Sequence, residues 1–468
     1  MKIVMKFGGT SIATGENIRH AAGLVEYSAK QGYRIVVVVS ALDGVTDELL
    51  EAGEQAQKEK LEYIQAFKKR MLDRHCTAIS KAIKNGSIRK EVEKIVRKII
   101  DELEKVLTGI CYVRELTVKS KDFVLSFGER LSAPIVCGVI CDLKLKSQSL
   151  TGKEAGIVTD TNFGEATPLM NVTMHQLKER LEPLLEMGII PVVSGYVAAT
   201  QDGVITTLGR GGSDYTATLV GAALAVDEVW IWTDVDGIMT ADPKIIPSAK
   251  LLHELSYQEA AEMAIFGAKA MHPRALEPLV KVNIPARIRN VSNPKNSGTF
   301  ISSRQAANRK DAVKAVAIVK DVAMINISGA GMVGAPGSYA RILDLLGRNQ
   351  INVMMISAAA SEANISLVIR RNQLGRALST LEIAFLGKSL VNAITAEDDV
   401  SVIAAMGANM KGTLGVASRV FNAQARVGVN IRMIAQGSSE LNISFVVKEK
   451  DGKAAVQAIH DEFKLDKI

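Results

Sequence analysis

Lys6-Phe7-Gly8-Gly9-Thr10-Ser11 places a lysine, two glycines and two hydroxyls directly behind the apolar run Ile3-Val4-Met5. Glycine lets a backbone approach phosphate oxygens closely, with its N–H groups pointing at them. The lysine adds a compact positive charge on a flexible stem. Holding a nucleotide's phosphates is the chemistry such a group suits. The spacing is not Gly-x-x-x-x-Gly-Lys-Ser/Thr, and a glycine turn after an edge strand explains the segment alone equally well.

Other segments carry matching chemistry. Arg210 lies in the glycine-rich stretch Gly209-Arg210-Gly211-Gly212, and a guanidinium can grip a carboxylate bidentately. Ser213 and Asp214 follow at the expected start of a helix, where free N–H groups favour anions. Ser213 also suits an N-cap, and Asp214 a simple helix-dipole interaction. Glu129, in an otherwise apolar stretch, can pair with a substrate ammonium or with Arg130 or Arg210. Thr233-Asp234-Val235-Asp236-Gly237 follows a strand-like run, and ligands of α/β sheets sit beyond strand C-termini.

These residues need a scaffold, and the first three hundred residues alternate strand and helix patterns. Strands are expected at 3–7, 34–39, 188–196 and 228–233, the aliphatic ones as buried parallel strands. Helices are expected at 17–30, 123–143 and 213–225. Residues 47–119, rich in Glu, Lys, Leu and Ile, read as long amphipathic helices inserted into the sheet domain, with solvated charged faces. Such alternation implies a mostly parallel sheet with helices on both faces, an αβα sandwich.

The 468 residues suggest two to four domains. With 4% aromatic residues, the cores must be mostly aliphatic. Cys76, Cys111, Cys137 and Cys141 form no Cys-x-x-Cys pair and read as buried free thiols rather than a metal site. The longest aliphatic runs, such as 35–39, are far too short to span a membrane. Met1 leads straight into a strand with no signal-peptide pattern, so a cytoplasmic protein is expected. The net charge of +7 suits an anionic small molecule, and no basic-aromatic stripe accompanies it, so neither nucleic acid nor membrane is expected as a partner.

The turn-rich Asn293-Pro294-Lys295-Asn296-Ser297-Gly298 and the polar 302–311 mark a domain boundary. Beyond it the chain repeats at an offset of 78 residues. Gly329-Ala330 matches Gly407-Ala408. Met332, Gly334, Gly337 and Arg341 match Met410, Gly412, Gly415 and Arg419. Asn364-Ile365-Ser366 matches Asn442-Ile443-Ser444. Each copy reads as βαββαβ, an antiparallel sheet with helices on one face. The second copy runs out of chain before its last strand, and an extra strand, 313–319, precedes the first. The two copies are therefore expected to share strands.

Five segments in order, KFGGTS at 6–11, SFGERLS at 126–132, GRGGSDYTAT at 209–218, TDVDGIMTADP at 233–243 and GAKAMHPRA at 267–275, make the chain resemble the aspartokinases. Those have an amino acid kinase domain followed by two ferredoxin-like ACT domains. The division expected here is 1–304 for the kinase domain, with its helical insertion at about 47–119, then 305–398 and 399–468 for the two ACT domains.

The resemblance implies ATP-dependent phosphorylation of the β-carboxylate of L-aspartate to 4-phospho-L-aspartate, the first step toward lysine, threonine and methionine. It implies catalytic roles for Lys6, Asp214 and Lys269, with Asp214 orienting Lys6. It puts Ser40, Thr46, Glu129, Arg210 and Ser213 around aspartate. Lys6, Gly8, Gly9, Thr233, Asp234, Met239, Lys244 and Lys269 fall to ATP, although some relatives carry tyrosine where Met239 stands. Mg²⁺ is expected on the ATP phosphates, mostly with water and phosphate ligands. His272 is expected to pack or cap, not to catalyse.

The ACT resemblance implies feedback control by an amino acid and a homodimer or homotetramer. The glycine turns at 332–338 and 410–417 suit a zwitterion, with Met332, Gly334, Ala335, Gly337 and Gln436 as effector contacts. Lysine-sensitive relatives have an aspartate where Met354 stands, and the segment around Gln436 resembles threonine-sensitive enzymes, so threonine is expected over lysine. The chain ends at Ile468 with no dehydrogenase expected after it. The competing readings are another kinase of the superfamily, acting on glutamate, acetylglutamate, carbamate or UMP, and a non-catalytic amino-acid sensor.

Overall fold

The aliphatic runs at the start of the chain can only be buried on both faces, which is how parallel strands covered by helices read. The computed structural model describes residues 1–267, 271–303, 312–361, 363–386 and 390–467, in two units. The first takes Met1–Ile238, His253–Tyr257 and the described part of 269–304; the second takes Met239–Leu252, the described part of 258–268 and the described residues beyond 305.

The first unit contains β1 (Lys2–Phe7), α1 (Gly15–Lys30), β2 (Arg34–Val39), α2 (Val45–Gln57), α3 (Leu61–Ala82), α4 (Gly86–Val113), α5 (Val118–Asp142) and β3 (Ser147–Leu150). It continues with α6 (Gly152–Ala155), β4 (Val158–Thr159), α7 (Met170–Glu186), β5 (Ile190–Ser194), β6 (Val197–Thr200), β7 (Ile205–Thr207), α8 (Gly212–Ala223) and β8 (Glu228–Thr233). Then come β9 (Glu254–Ser256), α9 (Tyr257–Ile265), which leads into the second unit, α10 (Pro273–Val282), β10 (Ala286–Asn290) and β11 (Thr299–Ser302). The main sheet runs β3-β5-β2-β1-β8-β10-β11-β9. Every pairing is parallel except β10 with β11. At its centre Phe7 lies in register with Val39 of β2 and Trp232 of β8, so three strand C-termini end at one level. A small sheet, β4-β6-β7, stands apart.

The long helices α2, α3 and α4 occupy the expected insertion. α5 differs from expectation in one respect: by length and hydropathy it could cross a membrane. Here it is a core helix, with Phe127, Leu131, Ile135 and Val139 at most 1% exposed, and its acids Asp122 and Glu129 line a cavity. The cysteines are free, but only Cys111 is fully buried; Cys76, Cys137 and Cys141 are half-buried. Cys141 sits in the last turn of α5, where its thiol donates to Ser147 O at 3.8 Å.

The second unit contains β12 (Ala315–Ser328), α11 (Ser338–Arg348), β13 (Val353–Ala358), β14 (Asn364–Arg370), α12 (Leu374–Phe385), β15 (Ala393–Met406), α13 (Val416–Arg426), β16 (Met433–Ala435), β17 (Asn442–Lys448) and α14 (Gly452–Glu462). One sheet runs β13-β14-β12-β15-β17-β16. The extra strand expected at 313–319 is the first half of β12, which continues without a break through 328. β12 and β15 pair antiparallel along both halves, with irregularities between Val319 and Met324. The first half of β12 closes the second copy, and the first half of β15 closes the first. The copies thus share strands, because each supplies the edge that the other would leave unpaired. Helices α11 and α12 cover one core around Ile342, Leu346 and Leu381. Helices α13 and α14 cover another around Val420, Phe445 and Ile459.

Candidate active site

Beyond the C-terminal ends of β1, β2 and β5 lies a cavity of about 690 Å³. Lys6, Gly9, Ser40, Thr46, Glu129, Arg210, Ser213 and Asp214 all line it. They come from four separate stretches of chain, and the parallel sheet brings them together, because strand ends are where an α/β sheet opens.

Lys6 reaches up from β1 and forms an ion pair with Asp214 at 2.7 Å, both side chains largely enclosed. Asp214 stands in the first turn of α8, so the lysine is held against a helix N-terminus that also favours anions. The turn after Lys6 is fastened to the neighbouring strand: Gly8 N–H donates to Trp232 O at 3.3 Å, and Ser11 Oγ donates to the same carbonyl at 3.2 Å. Ser213 is the second residue of α8, whose cap is Gly211 in the left-handed region, φ 71°. A Cβ on Gly211 would also lie 2.5 Å from His272 Cβ, so glycine is needed twice over there.

Glu129 is 3% exposed on α5. It pairs with neither arginine considered from sequence: Arg130 turns away to Glu102 at 2.6 Å, and its guanidinium lies 4.3 Å from the Phe127 ring centroid. Oε2 of Glu129 has no hydrogen-bond partner. Burial pushes its pKa up to about 8, against the downward pull of the Ala41 N–H, its own N–H and the Lys6 charge. A buried carboxylate without a cation is costly, and in a cavity wall it is the natural partner of a ligand ammonium.

Several lining residues escaped the sequence reading: Asp43, Asp47, Lys121, Asp122, Glu165 and Tyr196. Asp122 holds two loops in place, accepting from Gly164 N–H at 2.9 Å, Thr207 N–H at 3.0 Å and Thr207 Oγ at 2.7 Å. A signal existed: Asp122 and Glu129 are seven residues apart on an apolar helix, hence on one face. Tyr196 adopts φ 64°, its N–H bonded to Thr216 Oγ1 at 3.1 Å. Burial raises its phenol to about 12. Backbone strain of this kind gathers at functional sites, and no local sequence rule announces it.

The loop after β8 is braced from β10: Asn290 donates to Asp236 Oδ1 at 2.8 Å, and Thr233 Oγ1 donates to Asp234 Oδ1 at 3.1 Å. Met239 and Lys244 belong to the second unit; Met239 bridges Leu251, and Lys244 N–H donates to Asp242 at 2.9 Å. Lys269 lies outside the described residues. His272 caps α10, its Nδ1 accepting from Arg274 N–H at 3.3 Å.

Of the effector residues, Met332 is buried while Gly334 and Gly337 take positive φ in the turn before α11. Ala335 is part of the same turn, its N–H donating to Met332 O at 3.2 Å. Gln436 is exposed after β16.

Residues 1–290 match the amino acid kinase family, and residues 325–385 and 403–463 match an ACT domain. Aspartokinase 1, chloroplastic, of Arabidopsis thaliana is 32% identical over 98% of this chain and 80% of its own length. Bifunctional aspartokinase/homoserine dehydrogenase 1, chloroplastic, of Zea mays is 33% identical over 99% of this chain; the chain spans about half the length of that relative. The structure resembles E. coli aspartokinase III solved with aspartate and ADP, at 28% identity, TM-score 0.79 and 99% coverage of both chains. The same E. coli protein solved with lysine and aspartate gives a TM-score of 0.80 at 27% identity, over 98% of this chain and 99% of the other.

Proposed function

Because the chain belongs to the amino acid kinase family and, within it, to the aspartokinases, we propose that it phosphorylates the β-carboxylate of L-aspartate with ATP. The observation that carries this reading is Glu129, a buried carboxylate with a free oxygen, in one cavity with Arg210 and the Lys6–Asp214 pair. Glu129 takes the substrate ammonium, and Arg210 grips its α-carboxylate. Ser40, Thr46 and Ser213 supply the remaining polar contacts. The β-carboxylate then points toward Lys6.

A substrate carboxylate oxygen forms a bond to the γ-phosphorus while the bond to the β,γ-bridging oxygen breaks, leaving ADP and an acyl phosphate. The nucleophile is already ionised, so no proton moves. Catalysis is alignment and charge. Lys6, oriented by Asp214, neutralises charge on the transferring group, and Lys269 is proposed to complete the clamp. Gly8 and Gly9 floor the phosphates; Thr233, Asp234, Met239 and Lys244 are proposed for the nucleoside side. Mg²⁺ is proposed to ride on the ATP phosphates, with water completing its shell. When bound, Mg²⁺ offsets charge on the β- and γ-oxygens.

The chain is proposed to act in the cytoplasm at the head of the route to lysine, threonine and methionine. Its two ACT modules, divided at 304/305 and 398/399, bind the feedback amino acid through the turns holding Met332, Gly334, Ala335 and Gly337, with Gln436. Threonine is the favoured effector, since Met354 offers no acid to a lysine ammonium. A homodimer or homotetramer through these modules is supported by Ile356 and Ile434, repeat mates that are 43% and 44% exposed. A coupled ATP assay tests the reading: aspartate should support turnover, glutamate, N-acetylglutamate and UMP should not, and threonine should inhibit more than lysine. Turnover with one of the other acceptors alone would replace it.

A further inference from the structure

On the face of the main sheet that α1 packs against, β8 and β10 present aromatic rings and arginines side by side. The two strands run parallel, with Arg287 in register with Trp230 and Arg289 with Trp232. Successive side chains of a strand alternate between faces, so Glu228, Trp230 and Trp232 share this face with both arginines. Flanked by Leu24 and Tyr27 of α1 and by Pro294 of the turn between β10 and β11, they line a cavity of about 460 Å³. That is the size of a small-molecule site. It shares no lining residue with the candidate active site.

The charges of this lining do not cancel. Glu228 accepts from Arg287 Nε at 3.1 Å, from Arg287 Nη2 at 3.2 Å and from Trp230 Nε1 at 2.7 Å. Arg289 donates from Nη2 to Pro294 O at 2.7 Å, and its guanidinium lies 4.8 and 4.6 Å from the ring centroids of Trp230 and Trp232. Among the described residues no carboxylate pairs with it. Its Nε and the Nε1 of Trp232 are buried without a hydrogen-bond partner, and both are donors. Burial and the Arg287 charge hold the Arg289 pKa below the ordinary arginine value. Stacking on indoles fixes where the guanidinium lies and leaves its charge in place. The cavity therefore keeps one unpaired positive charge among aromatic walls.

We propose that this cavity binds a small organic carboxylate with a flat apolar body, the carboxylate on Arg289 and the body against Tyr27, Tyr33 and Trp230. A guanidinium matches a carboxylate bidentately, and aromatic rings supply large apolar contact area. One unpaired cation balances a monoanion, whereas a phosphate brings nearly two charges. Neither ATP nor aspartate enters this site. Trp232 nevertheless touches both regions: its ring lines the cavity, and its carbonyl holds the glycine turn after Lys6.

Trp230 and Trp232 are the two tryptophans of the chain, so all of its tryptophan fluorescence comes from this cavity floor. Titrating the full chain with hydrocinnamate, a phenyl ring on a short carboxylate, should change that fluorescence saturably. The neutral hydrocinnamamide should have no effect, and inorganic phosphate should not compete. Arg289→Met should weaken binding about tenfold or more, the order of a charge-assisted hydrogen bond. Tyr27→Ala, at a rim residue 67% exposed, should fold as wild type and weaken binding less. Saturating ADP should leave the affinity for hydrocinnamate unchanged. No saturable change, equal binding of acid and amide, or unchanged affinity in both folded variants overturns the proposal. Displacement by phosphate overturns the choice of a carboxylate. Loss of binding in ADP would place the probe at the glycine turn and overturn the cavity as its site.

Discussion

Glu129 and Glu259 are two carboxylates almost equally withdrawn from water, at 3% and 1% exposure, and their surroundings are opposite. Glu259 receives a lysine ammonium and a backbone N–H. Glu129 keeps an oxygen without a partner and a pKa pushed up to about 8 by burial. Folding alone selects for the first arrangement, since buried polar groups are nearly always satisfied. The second persists where a ligand completes it. Of these two, the unsatisfied acid marks the candidate site and the satisfied one the architecture.

Breaking the satisfied pair should have the largest effect. Lys314→Met takes the ammonium away from the buried Glu259 carboxylate, costing about 3–5 kcal/mol. Denaturant unfolding followed in the second unit should report it, and the double change with Glu259→Leu should recover most of the loss. Next comes Lys6→Ala, which removes transition-state charge: kcat should fall on the order of 10²–10³-fold, with the KM for aspartate changed much less. An equal loss in both would assign Lys6 to binding.

Glu129→Gln sharpens the contrast from the other side. The fold should hold or gain stability, because a buried group whose ionisation folding opposes is replaced by a neutral amide, while the KM for aspartate rises roughly 10–100-fold with the loss of a charge-assisted contact of about 1.5–3 kcal/mol. A fall in stability like that of Lys314→Met would erase the distinction drawn here.

A further effect is on pH. The folded chain keeps the Glu129 proton up to about 8, whereas the unfolded chain loses it near the ordinary 4.5. The unfolded state therefore binds fewer protons in that interval. Stability from this group is greatest below 4.5, declines as pH rises toward 8 and levels off above. Aspartate binding runs the other way: the KM should fall as pH rises toward 8, and Glu129→Gln should flatten both slopes.

Much of the fold was legible because its signals are local. The run at 34–39 could only be a buried strand, and the 78-residue repeat announced paired modules whose unfinished ends pointed to shared strands. Helix α5 shows the limit of local reading. Its hydropathy is that of a spanning helix, but its acids at 122 and 129 face a cavity, and only the packed sheet explains why both the apolar and the acidic sides are enclosed. In the site, Lys6, Arg210 and Ser213 were readable from glycine-rich motifs. Tyr196 was not, because its strain is imposed by neighbours distant in sequence.

By itself, the sequence determined which residues can do chemistry, the αβα and βαββαβ patterns and the kinship with kinases of amino acids, since composition, periodicity and motif spacing are properties of the chain. Only the tertiary structure decided which acids are satisfied. Arg130 stands beside Glu129 in sequence yet pairs with Glu102, and Glu259 meets Lys314 and Ala408 across long stretches of chain. Pairing inside a protein depends on who is near in space when water is removed, and that is settled by packing.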